Sequence, residues 1–190
     1  MRFNKYTPMS GLWHHVKPHF SPLEAWGDKD RIDARIVFAL FDIREHSGRK
    51  IVINCGYEPR SKPSWHSSYL AVDFHKDGLH VCDQYLLCSR YDVFNGLGVY
   101  PYWNNPGLHG DSRPHTLRHR PEARWISTSA GVYAPLTWKD LSQINGDGKQ
   151  WLLDLLEKHS IKASSNIISE LTQTVDRIAK EAYEKGKKRK

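Results

Sequence analysis

In SWHSSYLAVDF, Ser64 to Phe74, a histidine and an aspartate stand seven residues apart, and the aspartate lies in a segment that alternates like a β-strand. A second pair, His109 and Asp111 in GLHGD, is spaced by two and so occupies one face of any extended segment. Zinc takes imidazole nitrogen and carboxylate oxygen donors in a tetrahedron, leaving one position for water where chemistry is done. His66, Asp73 and His109 can supply three such donors, from a loop and two strands. The chain holds 11 histidines, so one His–Asp pair taken alone says little.

The positioning elements can be read from periodicity. Asp28 to Gly48 predicts a helix: acidic residues fall in its first turn, Ile32, Ile36, Ala39, Leu40 and Ile43 recur at three and four, and Gly48 stops it. Ile51 to Asn54 predicts a short buried strand. In the strand predicted over Tyr69 to Phe74, Asp73 shares a face with Tyr69 and Ala71, away from Leu70, Val72 and Phe74. Asp83 to Tyr91 reads as a short helix, Gly96 to Trp103 and Gly107 to Asp111 as strands, and the Pro-punctuated Arg113 to Trp125 as a loop. From Pro135 onward the pattern turns helical. The expected organisation is a domain over 1–134 and a helical extension over 135–190, the latter ending in the basic run Lys185 to Lys190.

With 190 residues the chain is long enough for one well-cored domain. No apolar run is long enough to span a bilayer, and MRFNKYTPMSGLWHH has no secretory apolar region, so folding in a cytosol is expected. Cys55, Cys82 and Cys88 contain no CxxC pair and read as free thiols. A net charge of +7 and a pI near 9.3 suit nucleic acid, anionic membrane or anionic wall polymer alike. No nucleic-acid-binding signature accompanies the charge.

The order of these segments resembles the M15 zinc peptidases, the D-Ala-D-Ala carboxypeptidase-like and L-alanyl-D-glutamate endopeptidase-like murein hydrolases. Ser64, His66, Ala71 and Asp73 match the family's SxHxxGxAxD. IVINCGYEPRS is similar to its strand and GYR-like turn, while GLGVYPYWNNPGLHGDSR and Arg124-Trp125 follow its phage-associated branch. The resemblance spans roughly residues 20 to 126. It implies an α+β fold of the hedgehog/D-Ala-D-Ala-peptidase kind, a small mainly antiparallel sheet with helices on one side. It also implies Zn²⁺ on His66, Asp73 and His109, and hydrolysis of an amide bond in the peptide of bacterial peptidoglycan.

A phage endolysin or virion-associated lytic enzyme is the implied setting: made in the cytoplasm of the producing cell, it acts on the wall after release or from within a virion. A basic C-terminal tail would then tether to anionic cell-wall polymer. Three departures accompany the match. Tyr69 replaces the motif's glycine. Pro106 stands where many members carry a glutamate base. Glu58 and Pro59 separate Tyr57 from Arg60 in the GYR-like turn. Asp111 is therefore the nearest candidate base; the alternatives are that it orients a ligand, or binds metal while His109 is the base. His115 and His119 are rival third ligands. Arg60 is expected to hold a substrate carboxylate, with Arg113 and Arg124 as weaker candidates. Trp65, Tyr100, Tyr102 and Trp103 are available to wall a cleft, Trp103 being the expected substrate contact. An alternative is an M15-like module that binds zinc and has lost hydrolysis.

Overall fold

The structure, a computed structural model, describes residues 5–114 and 123–137. The chain divides into compact units 1–135 and 136–190, and the sheet and helices among the described residues belong to the first. Residues 138–190, with most of the expected helical extension and all of its basic tail, lie outside the described residues.

The first predicted helix forms but starts later than its periodicity suggests. Helix α1 runs Ala34–Ser47 and ends at Gly48, whose φ of 60° makes it a left-handed cap. Asp33 is the N-cap, and its carboxylate accepts the Arg35 backbone N–H at 3.1 Å. The same buried carboxylate takes the Arg35 guanidinium (Nη2 to Oδ2, 2.6 Å) and the Ser112 hydroxyl (2.6 Å). That side chain competes with helical continuation, so Asp28 to Ile32 are used in turns and not in a first helical turn.

Strands β1 (Ile51–Cys55), β2 (Ala71–Lys76), β3 (Gly96–Tyr100) and β4 (Gly107–Asp111) fall close to their predicted places, and helix α2 spans Val81–Cys88. The expected loop after Arg113 is only partly one. Strand β5 (Ala123–Ser129) begins inside it and turns into β6 (Val132–Pro135), a hairpin the sequence pattern did not reveal.

Together the strands make a six-stranded α+β sheet in the order β1-β2-β4-β3-β5-β6. All neighbours are antiparallel except β3 and β5. One face carries Val72, Phe74, Leu97, Val99, Leu108 and Ile126, all buried; Ile36, Leu40 and Ile43 of α1 are buried as well. Register assigns Asp73, His109, Gly98 and Trp125 to one row across the other face. A core of large apolar side chains thus anchors one side of the sheet and leaves the other for polar groups.

Between β1 and β2 the chain makes a single 3₁₀ turn, His66–Ser68, closed by Tyr69 at φ 63°. A tyrosine here adopts the left-handed backbone that a glycine would favour. Two contacts offset the cost: Tyr69 stacks on Tyr57 (4.4 Å between centroids, 12° between planes), and the Arg31 guanidinium lies 4.0 Å over its ring. Tyr69→Ala loses both contacts and keeps the strain, whereas Tyr69→Gly loses the contacts and the strain together. Urea denaturation is expected to show the alanine variant less stable than the glycine variant by about 1 kcal/mol.

Candidate metal centre

His66 is held from two directions. Ser64 fixes its turn: the Ser67 N–H donates to Ser64 Oγ (3.2 Å) and the Ser68 hydroxyl to Ser64 O (3.1 Å). The His66 Nδ1–H donates to Gly56 O at 2.6 Å, which leaves the Nε2 lone pair as the free donor. His109 shows the mirror arrangement. Its Nε2–H donates to Asp111 Oδ2 at 3.1 Å, so Nδ1 is the donor facing inward.

Those two nitrogens meet the Asp73 carboxylate. His66 Nε2 lies 3.1 Å from His109 Nδ1 and 3.3 Å from Asp73 Oδ1, and His109 Nδ1 lies 2.8 Å from the same oxygen. Donors bound to one tetrahedral ion at about 2.0–2.1 Å are separated by about 3.3 Å, so three donors with separations of 2.8 to 3.3 Å are close enough to share one ion after a small outward shift. A second triad shares two of these residues: donor atoms of Cys55, His66 and Asp73 all lie within 4.8 Å of one another. Cys55 is the member that sequence reading left out.

The charges follow this geometry. Burial opposes a proton on His66, but hydrogen bonds to Asp73 and Cys55 overcome it and raise the imidazole to about 10. Burial would likewise raise Asp73, yet the two histidines hold it at about 2. His109 is raised against its own burial by Asp111 and Asp73. Without a metal, protons occupy the space between the donors, and a cation must displace them to bind.

Asp111 is fully buried beneath His109. Arg113 grips both of its oxygens, Nε to Oδ1 at 2.6 Å and Nη2 to Oδ2 at 2.5 Å. Against its burial, Arg113 first and His109 second keep the carboxyl below its ordinary range. A carboxylate so engaged orients the imidazole and is poorly disposed to take a proton from the cleft, which favours the orienting role over the base role.

Two glycines of β3 make this packing possible. A Cβ on Gly96 would sit 2.2 Å from Asp111 Oδ2, and one on Gly98 would sit 2.3 Å from the Trp125 indole. The indole therefore lies across β3 and reaches His109, with ring centroids 5.3 Å apart. Its Nε1–H donates to Tyr100 Oη at 3.2 Å.

Above the donors opens a cleft of about 700 Å³, lined in part by Trp65, Tyr100, Trp103, Trp125 and Tyr133. Trp103 stacks on Tyr100 at 4.1 Å. Tyr102, expected in the wall, is instead 74% exposed and outside it. Arg60 is on the rim, its guanidinium 2.7 Å from Glu58. Arg113 lies 5.3 Å from the ring centres of both Trp65 and Trp125. Arg124 donates to the carbonyls of Asn95 and Ala123 and does not line the cleft. His115 and His119 lie outside the described residues.

Sheet and site together define an α+β protein with a candidate His/Cys/Asp metal centre on the polar face of its sheet. Set against protein-family models, curated proteins and solved structures, the chain finds no match. Among the described residues no helix is long and apolar enough to cross a membrane.

The raised histidine carries a pH signature. Its folded value of about 10 exceeds the ordinary 6.5, so its contribution to stability is complete below pH about 6.5 and is lost as pH rises through 10. Metal-free protein is expected to lose stability over that window in urea titrations, and His66→Gln to flatten the loss. Affinity for a metal ion at these donors would run the opposite way, rising with pH as the competing protons leave.

Proposed function

We propose that the protein is a zinc-dependent peptidase of the M15 kind that hydrolyses amide bonds in the peptide stem of bacterial peptidoglycan, acting as a phage endolysin or virion-associated lytic enzyme. The carrying observation is the convergence of His66 Nε2, Asp73 Oδ1 and His109 Nδ1 beneath an open cleft, with the far nitrogen of each imidazole already tied to an acceptor. The donor set of two imidazoles and one carboxylate fits zinc and leaves a fourth position for water. Zinc bound there would polarise the scissile carbonyl and lower the pKa of water.

The remaining tasks fall to the chain's own groups. Asp111 holds the His109 ring in its ligating tautomer, and Arg113 keeps Asp111 ionised. The walls formed by Trp103, Tyr100 and Trp125 pack against the stem peptide and exclude water. Arg60 takes a substrate carboxylate by exchanging it for Glu58, a swap between two exposed partners that costs little. A finer likeness to the hedgehog/D-Ala-D-Ala-peptidase fold belongs to the same proposal, as does tethering to anionic wall polymer by the Lys185–Lys190 tail.

One observation favours a second reading, a zinc-binding module without hydrolysis. Asp73 supplies the only carboxylate lining the described part of the cleft, and it is also a ligand.

Turbidity of purified peptidoglycan separates the two. The enzyme reading predicts clearing that stops on chelation and returns with zinc, while zinc bound at one per chain with no peptide released establishes the inactive module. His109→Ala should lose zinc. Asp111→Asn should weaken zinc binding about 10–100-fold and recover activity at saturating zinc. Loss of activity in a fully loaded Asp111→Asn protein would return that residue to the role of base.

A further inference from the structure

Cys55 reaches the metal centre because of an irregularity in β1. Ile51, Val52 and Ile53 pair in order with Lys76, His75 and Phe74, but the next partner of β2, Asp73, is met by Cys55 and not by Asn54. The extra residue is a β-bulge, which reverses the alternation of faces from that point. In a regular ladder Asn54 would oppose Asp73, and Cys55 would point with Ile51 and Ile53 toward the apolar face. The bulge turns Cys55 onto the face of Asp73 and His109. Its sulfur consequently lies within 4.8 Å of donor atoms of both His66 and Asp73, and its thiol donates to Gly56 O at 3.6 Å, the carbonyl that also holds His66. The other two cysteines, Cys82 and Cys88, are buried in the fold, far up in pKa at about 12, and unsuited to thiolate chemistry.

We propose that Cys55 is a fourth protein ligand of the metal centre, whose thiolate competes with water for the open coordination position and holds the site in a closed resting form. The inference rests on the zinc reading of His66, Asp73 and His109 and adds to it a control on access. Ligation costs the thiol its proton, which passes to solvent, and costs the ion its water. Release reverses both. A soft sulfur donor also biases the centre toward zinc over magnesium or calcium, which take oxygen donors. With sulfur bound the centre is of the closed, structural type; with sulfur released it has the three protein ligands and one water of a catalytic type.

Cobalt(II) added to the metal-free 190-residue chain reads this directly, because sulfur ligation gives an intense near-ultraviolet charge-transfer band beside the weaker visible bands of tetrahedral cobalt. The wild type is expected to show both, and Cys55→Ser to lose the charge-transfer band while keeping visible absorption. On peptidoglycan, Cys55→Ser should turn over faster per bound zinc than the wild type. Visible cobalt absorption without the charge-transfer band would overturn the ligand role of Cys55 and leave the zinc reading intact. Slower turnover in a fully zinc-loaded Cys55→Ser protein would overturn the control on access. No tetrahedral cobalt spectrum at all would sink both readings.

Discussion

The site depends on one register. Asp73 on β2 stands opposite His109 on β4, and only that pairing brings a carboxylate oxygen and an imidazole nitrogen to 2.8 Å on the polar face. A slip of one residue would exchange the faces of every side chain on the slipped strand. Val72, Phe74, Leu97 and Leu108, all buried on the opposite side, make such a slip prohibitive. The hydrophobic face thus sets the geometry of a polar centre that it never touches.

Around that pairing, each donor is restrained by a partner that is itself restrained. His66 is turned by Gly56 and by the Ser64 turn, and His109 by Asp111, which Arg113 holds from beyond. The chain from Arg113 to Asp111 to His109 is a graded charge relay of position only: each group fixes the next, and the innermost nitrogen is left to bind. Arg113 also faces two indoles, so the cleft wall and the ligand support share one guanidinium. Packing of the wall and orientation of the ligand are therefore coupled.

The legible parts of this design were those with local periodicity. Asp73 could be assigned to the polar face of its strand because apolar residues alternate around it, and His109 and Asp111 to one face because they are spaced by two. What escaped was non-local. The Asp33 cap that delays α1 depends on Ser112, 79 residues away. Strand β5 gains its place from a parallel partner, β3, and not from any pattern in its Pro-rich approach. Cys55 is on the site's face only because of a bulge, which no spacing in IVINC announces. Tyr69 marks a different limit: its left-handed backbone, a conformation that favours glycine, is held by contacts from Tyr57 and Arg31 that no local pattern announces.

Strand β3 gives this architecture an unusual design rule. It supplies no donor, yet it lies under Asp111 at Gly96 and under Trp125 at Gly98, where even a methyl group has no room. Strand propensity favours valine, isoleucine or threonine at both positions. A redesign that optimised β3 as a strand, while preserving every ligand, would lift the indole and the carboxylate from their seats and dismantle the centre. Function here is encoded partly as empty volume, and a catalogue of chemically active side chains would pass over the residues that provide it.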